Sequence, residues 1–349
     1  MKFSSIATAL SLWAYRLATC TPSRLRTSSK PPALVDGVGA PKMAVQYELR
    51  PGQYRLLHEL PSGLSMEVIV QESAKKSDGD LNPPLVFVHG SYHAAWCWAE
   101  HWLPFFSSHG FDCYAVSLLG QGERDEPSAP VAGSLQTHAA DVADFIDIKL
   151  SLPPVLIGHS FGGLVVQHYI ANMRNQQCTE RDGLFPDLEG AVLVCSVPPS
   201  GNSRMAWRYL FTKPIAAFKA TRSLAAKGFQ TSLPLCKETF FSAAMDDHLV
   251  QRYQKLLKCS SRMPVIDVWR MNASLPPPSA PKPSIQFLVV GANDDFLVDA
   301  QGIRETGKYY GVTPVCVEGV AHDMMLDCSW EKGAGVILSW LKGLGKDQR

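Results

Sequence analysis

The sequence predicts an α/β fold, with a mostly parallel central sheet, helices on both faces and a helical cap. Three observations predict it. Short, continuous apolar runs recur at the spacing of strands separated by helices. One of those runs ends in a Gly-x-Ser-x-Gly turn that opens at once into an apolar helical stretch. Late in the chain about 80 residues of helical character interrupt the alternation.

The elements follow in order. Residues 54–60 and 66–71 read as an opening hairpin about the turn Pro61-Ser62-Gly63. Residues 85–88 are apolar at every position, as a strand buried on both faces requires. Runs of the same kind lie at 113–118, 155–157 and 191–197, with helix-like stretches between them at 94–108, 135–149 and 161–173. Strand and helix alternate, and a parallel sheet covered by helices is the expected outcome. After Val197-Pro198-Pro199 the helical interruption begins, and the Pro-rich stretch 275–283 closes it. The alternation resumes with a strand at 285–290, a helix at 298–310, a strand at 315–317 and an amphipathic closing helix at 330–344. The organisation expected is therefore a leader at 1–45, a core built from 46–199 and 281–349, and a cap at 200–280. No internal repeat is visible.

Composition narrows the function. Of 349 residues 46% are hydrophobic and 19% charged, with Lys+Arg 33 against Asp+Glu 32, which excludes disordered, fibrous and polybasic classes. No apolar run approaches the roughly 18 residues that span a bilayer. Nine cysteines are scattered without a C-x-x-C pair, and no H-E-x-x-H occurs, so neither a metal nor a cofactor is called for; the thiols read as reduced core residues. The first 35 residues carry Lys2, Arg16, Arg24, Arg26 and Lys30 with no acid, and are rich in Ser, Thr and Ala. That is transit-peptide chemistry and points to the chloroplast, the alternatives being the mitochondrion or secretion with 6–12 as a short apolar signal core. Residues 200–280 hold twelve cations against four acids, interleaved with aromatics. This basic cap reads either as a helical segment with solvated Lys and Arg, or as a surface that guides anionic substrates or rests on anionic lipid. Nucleic acid is excluded as a partner, since no nucleic-acid-binding motif accompanies the charge. The oligomeric state is not legible.

The chemistry sits at Gly158-His159-Ser160-Phe161-Gly162-Gly163, between a strand and a helix. A serine held in a tight strand-to-helix turn needs small neighbours, because the backbone on both sides passes close to the rest of the fold. Ser160 is the candidate nucleophile. A serine hydroxyl needs a base, and the base needs a carboxylate to fix its tautomer. His322 follows the last strand and is the candidate base. Asp294 and Asp295 follow the strand before it; neighbouring side chains diverge, so one of the two faces His322. Asp323 and Asp327 stand too near His322 in sequence to be first choices. Two backbone amides are expected to hold the developing oxyanion: that of Phe161, first after the nucleophile, and that of Ser91 in the loop His89-Gly90-Ser91-Tyr92. Tyr92 and His93 are candidate substrate-binding residues; His93 reads either as a helix-face histidine or as lining the pocket mouth, since it follows the oxyanion loop, whereas His159 reads as a packing residue.

Together, Val88-His89-Gly90, the Ser160 turn, the stretch from Gly291 to Asp294 and His322 resemble the α/β-hydrolase fold superfamily over roughly residues 52–345. The stretch His89-Gly90-Ser91-Tyr92-His93-Ala94-Ala95-Trp96-Cys97-Trp98 is similar to the H-G-x-x-H-G-A-W-C-W signature of plant methylesterases and hydroxynitrile lyases, and to lysophospholipase-like hydrolases. It departs at Ala94, where the signature has Gly, and at Leu119-Gly120-Gln121-Gly122, where many relatives carry R-G-H-G. The resemblance favours Asp294, three residues after Gly291, as the triad acid and leaves Asp295 a supporting or capping role. It implies a serine hydrolase acting on a small-molecule carboxylic ester or lipid with an apolar part, without cofactor. The alternatives are a lyase that uses the same triad as a base, or a ligand-binding receptor on a hydrolase scaffold. Epoxide hydrolase chemistry is disfavoured, because it needs a carboxylate at position 160.

Overall fold

The structure, a computed structural model of the chain, describes residues 47–73, 82–122, 127–173, 185–267, 271, 275, 277 and 285–344. The expected leader at 1–45 lies outside them. The opening hairpin forms β1 (Gln53–Glu59) and β2 (Ser65–Gln71), paired antiparallel. It is followed by β3 (Leu85–Val88), β4 (Cys113–Val116), β5 (Val155–His159), β6 (Gly190–Val194), β7 (Gln286–Ala292) and β8 (Val315–Val317). Among the described residues these make one sheet of order β1-β2-β4-β3-β5-β6-β7-β8, in which β2 runs antiparallel to β4 and every later pair is parallel.

The uniformly apolar strands have a direct cause. Phe87 and Ile157 point into one buried layer with Trp98, Trp102 and Phe106, while Val86, Val88 and Leu156 point into the opposite layer with Phe145 and Leu164. With side chains alternating at period two, a sheet covered on both faces has no polar position to spare. Register then aligns the strand ends: Val88 pairs with Gly158, Gly158 with Leu193, and Val194 with Val290. The loops that leave β3, β5, β6 and β7 therefore emerge along one edge, where an open parallel sheet builds its site.

The helix expected at 94–108 is two helices, α1 (Trp96–Ala99) and α2 (Trp102–Ser108). Pro104 explains the break: it has no N–H, and its ring would crowd the carbonyl of Glu100 in a continuous helix, so it is tolerated only in a first turn. The third helix, α3 (Leu135–Lys149), begins where the Ser134 hydroxyl accepts from the Thr137 amide at 3.2 Å and Thr137 Oγ1 accepts from the Ser134 amide at 2.8 Å. Next, α4 (Phe161–Ala171) leaves β5. Between β6 and β7 come α5 (Asn202–Thr212), α6 (Pro214–Leu224), α7 (Leu233–Phe240) and α8 (Asp247–Ser260); α9 (Ala300–Tyr310) and α10 (Trp330–Leu341) close the chain.

The helical insertion is tied to the rest by polar contacts over an apolar base. The Tyr92 hydroxyl donates to the Leu224 carbonyl at 2.9 Å, and the Trp96 indole donates to Ser260 Oγ at 2.7 Å. Arg252 forks onto buried Glu100 at 2.7 and 3.0 Å, and Arg208 forks onto Asp299. Among the described residues no helix is long and apolar enough to cross a membrane.

Candidate active site

Ser160 stands between the end of β5 and the start of α4 with φ +53° and ψ −117°, in backbone space that side chains other than glycine rarely occupy. Such a conformation costs about 1–3 kcal/mol and persists only where the surroundings impose it. They do so here. The Ser160 amide donates to the Val194 carbonyl, and the Ser160 carbonyl accepts from the amides of Gly163 and Val197, each at 3.1 Å. A Cβ on Gly158 would meet the Gly162 carbonyl oxygen at 2.6 Å, which is why the turn is built from glycines.

The hydroxyl so presented lies 3.0 Å from Nε2 of His322, and Nδ1 of His322 donates to Oδ2 of Asp295 at 2.8 Å. His322 is buried, Asp295 is buried and Ser160 is half-buried. Burial pulls the His322 pKa down. The charge and hydrogen bond of Asp295, joined by the charge of Asp323, outweigh that pull and leave it above the ordinary 6.5.

The carboxylate that meets His322 is that of Asp295, where Asp294 was expected. Asp294 is exposed, and its amide donates to the Val320 carbonyl at 3.2 Å. Asp295 turns inward because its other oxygen, Oδ1, accepts from the amides of Leu297 and Val298 at 2.7 and 2.8 Å. That local turn fixes the carboxylate, and the ring of His322 takes the oxygen left over. Cys195, buried behind it, has its thiol pushed well up, first by burial and then by the charge of Asp295.

The loop after β3 reaches the nucleophile. A Cβ on Gly90 would sit 2.9 Å from Ser160 Cβ and equally close to Nδ1 of His159, so the backbone leading to Ser91 is pressed onto the Ser160 turn. Among the described residues neither the Ser91 amide nor the Phe161 amide donates to an acceptor. Phe161 opens an eleven-residue helix, so its N–H lies at the positive end of the helix dipole.

His93 does not line a pocket mouth, contrary to expectation. It is 1% exposed, its Nδ1 donates to the Ser91 carbonyl at 2.8 Å, and its Nε2 meets Oδ2 of fully buried Asp323 at 2.8 Å. Tyr92 is half-buried at φ +70°, its ring packed 5.0 Å from Phe229, and it reaches the insertion through its hydroxyl. Burial raises its pKa to about 12, so it remains a phenol. His159 is buried and donates through Nε2 to the His322 carbonyl at 2.9 Å, with its pKa held well below the ordinary value by burial.

Two carboxylates set aside for their closeness to His322 organise its loop. Asp323, the next residue, holds His93, and its other oxygen lies 3.9 Å from Nε2 of His159. Asp327 accepts from the amides of Ser242, Ala321 and Cys328 and from the Ser242 hydroxyl, joining the His322 loop to the insertion. The sequence signal for both was the acid pair one helical turn apart directly after the base, Asp323-Met324-Met325-Leu326-Asp327.

The profile of the Alpha/beta hydrolase family matches residues 85–332, a span that takes in the turn, Asp295 and His322. The chain belongs to that family. Among curated relatives, this α/β-hydrolase is 36% identical over 116 residues to a non-heme chloroperoxidase from Streptomyces lividans, covering 33% of this chain and 37% of the relative. It is 28% identical over 182 residues to protein phosphatase methylesterase 1 of Bos taurus, covering 48% and 44%. It is 27% identical over 143 residues to an Arabidopsis thaliana protein named as a chloroplastic methylesterase, covering 41% and 31%. The chain thus spans less than half the length of each of these relatives. Among solved structures, an esterase from Exiguobacterium antarcticum shares the fold with a TM-score of 0.63 at 19% identity, covering 82% of this chain and 98% of that one.

Proposed function

We propose that the protein is a serine hydrolase of carboxylic esters that works through an acyl-enzyme. The observation that supports this best is the hydrogen-bonded chain from Ser160 Oγ through His322 to Asp295. Each group has a role its chemistry suits. Ser160 Oγ attacks the ester carbonyl carbon while Nε2 of His322 takes the hydroxyl proton. Asp295 keeps Nδ1 protonated, so that Nε2 offers a lone pair to the serine, and it stabilises the imidazolium that forms. The Ser91 and Phe161 amides bind the oxyanion; each donor of this kind is worth about 3 kcal/mol in a transition state. The imidazolium returns its proton to the leaving alkoxide, and a water activated by the same nitrogen releases the acid.

Epoxide-opening chemistry on this fold needs a carboxylate where Ser160 stands. The aromatic-rich sequence of the insertion suits an ester with a sizeable apolar part, and relatives named as methylesterases suit a small alcohol leaving group. The acid-free first 35 residues, with a relative named as chloroplastic, support residence in the plastid.

The test is a fluorophosphonate label on the wild-type protein and on Ser160→Ala, followed by p-nitrophenyl esters of increasing acyl length beside a cyanohydrin assay. Labelling that depends on Ser160, with ester turnover exceeding cyanohydrin cleavage, is the expected result. Equal labelling of both proteins, or cyanohydrin cleavage alone, would overturn the proposal.

A further inference from the structure

We propose that the hairpin of α5 and α6 is a docking surface for an anionic lipid bilayer. The observation is a pairing of exposed apolar bulk with uncompensated positive charge. The three most exposed large hydrophobic side chains among the described residues are Phe211, Ile215 and Phe218, at 76%, 74% and 65%, and all three lie on this hairpin. Phe211 is backed by Trp207, one turn earlier, whose ring stacks on it at 5.7 Å. Ile215 and Phe218 are three apart on α6 and share a face. Folded chains seldom leave three large apolar side chains so exposed within eight residues of sequence without something to cover them.

Charge identifies the cover. From Asn202 to Lys227 the sequence contains no Asp or Glu and six cations. Arg208 and Lys219 are paired, to Asp299 and Glu238. Lys213, at the elbow between the helices, and Arg222 and Lys227 have no carboxylate partner among the described residues. Exposed apolar side chains interspersed with Lys and Arg, on short amphipathic helices, match a bilayer surface in which the rings enter the acyl boundary and the cations meet lipid phosphates and carboxylates. A second copy of the chain would bring the same positive charge against itself, which like-charge repulsion opposes.

The test uses the full chain, so that the leader cations are common to every protein compared. Wild type, the triple variant Phe211→Ser/Ile215→Ser/Phe218→Ser and the triple variant Lys213→Glu/Arg222→Glu/Lys227→Glu are floated with vesicles of phosphatidylglycerol and phosphatidylcholine, and with phosphatidylcholine alone. Binding to the anionic vesicles is expected to fall at least about 100-fold in either variant, each lost cation alone accounting for roughly fivefold, and wild type is expected to leave the neutral vesicles largely unbound. Hydrolysis of a short soluble ester should be unchanged in the apolar variant, which separates loss of docking from loss of fold or of chemistry. Equal flotation of wild type and variants would overturn the proposal. So would hairpin substitutions that dissolve a dimer in size-exclusion chromatography while wild type ignores the anionic vesicles.

Discussion

Two Asp–His pairs lie within a few ångströms of each other in this protein, and they are alike by the usual criteria. Asp295 meets His322 at 2.8 Å, Asp323 meets His93 at 2.8 Å, and both rings are 1% exposed. What separates them is the other ring nitrogen. That of His322 faces the hydroxyl of Ser160, a group with a proton to give. That of His93 faces the carbonyl of Ser91, which can only accept, so this nitrogen is committed as a donor and has no hydroxyl to deprotonate. The first pair can take up a proton and return it. The second is a strut, fastening the loop that carries the Ser91 amide to the residue beside His322. A carboxylate on a buried histidine is thus not in itself the mark of a general base; the partner of the far nitrogen decides.

Ser160→Ala should cost on the order of 10⁶ in kcat on a p-nitrophenyl ester, and adding His322→Ala should cost little more, because the members of the proposed triad would act as a unit. Asp295→Asn should cost about 10⁴, since the amide favours the wrong tautomer of His322. Asp294→Asn, at the exposed neighbour, should leave kcat within a few-fold of wild type. If Asp294→Asn were the damaging change of the two, the assignment of the acid would be wrong.

The pH profile sharpens the same contrast. In the proposed mechanism the neutral form of His322 is the active base, so activity is expected to rise with pH through its pKa. Burial lowers that pKa, but Asp295 and then Asp323 raise it further, and the acid limb of kcat/KM is expected above the ordinary histidine value. Asp295→Asn removes the larger raising influence and should carry the limb to lower pH. Asp323→Asn removes a smaller one and should move it less. As a strut, Asp323 should show itself elsewhere: breaking a buried, hydrogen-bonded pair costs about 3–5 kcal/mol of stability, read in a denaturant titration, while kcat falls less than in Asp295→Asn.

Much of this was legible in the chain, for reasons that differ between residues. The Ser160 turn was visible because it imposes a local requirement, glycines on both sides between a strand and a helix, and the parallel sheet was visible because strands buried on both faces are apolar at every position. The choice between Asp294 and Asp295 was not, because it rests on which carboxylate caps the amides of Leu297 and Val298, a matter of turn geometry that one residue of register reverses. His93 was misplaced because its partner, Asp323, lies 230 residues away. The split between α1 and α2 could have been read from Pro104 and the cost of a proline in a helix interior.

His89 extends the comparison to a third geometry and to the smallest of the expected effects. Its Nδ1 donates to the Gly90 carbonyl and its Nε2 accepts from the Leu118 amide at 3.0 Å, so one nitrogen must stay bare for the loop after β3 to hold. Burial first, and neighbouring histidines after it, take its pKa down to about 3, and burial likewise takes His159 well down. For a histidine whose folded pKa is depressed, the unfolded chain binds the extra proton first. The stabilisation is complete above the ordinary value of about 6.5 and drains away as pH falls toward the folded pKa, by about 1.4 kcal/mol per unit for each such ring. His89→Gln, with the side-chain amide placed to accept from Leu118, should flatten the acid side of the stability curve between roughly pH 6 and pH 4 while leaving the acid limb of activity in place, since that limb belongs to His322. Urea midpoints measured across that range check the slope; an unchanged slope would show that His89 is not among the rings that resist protonation.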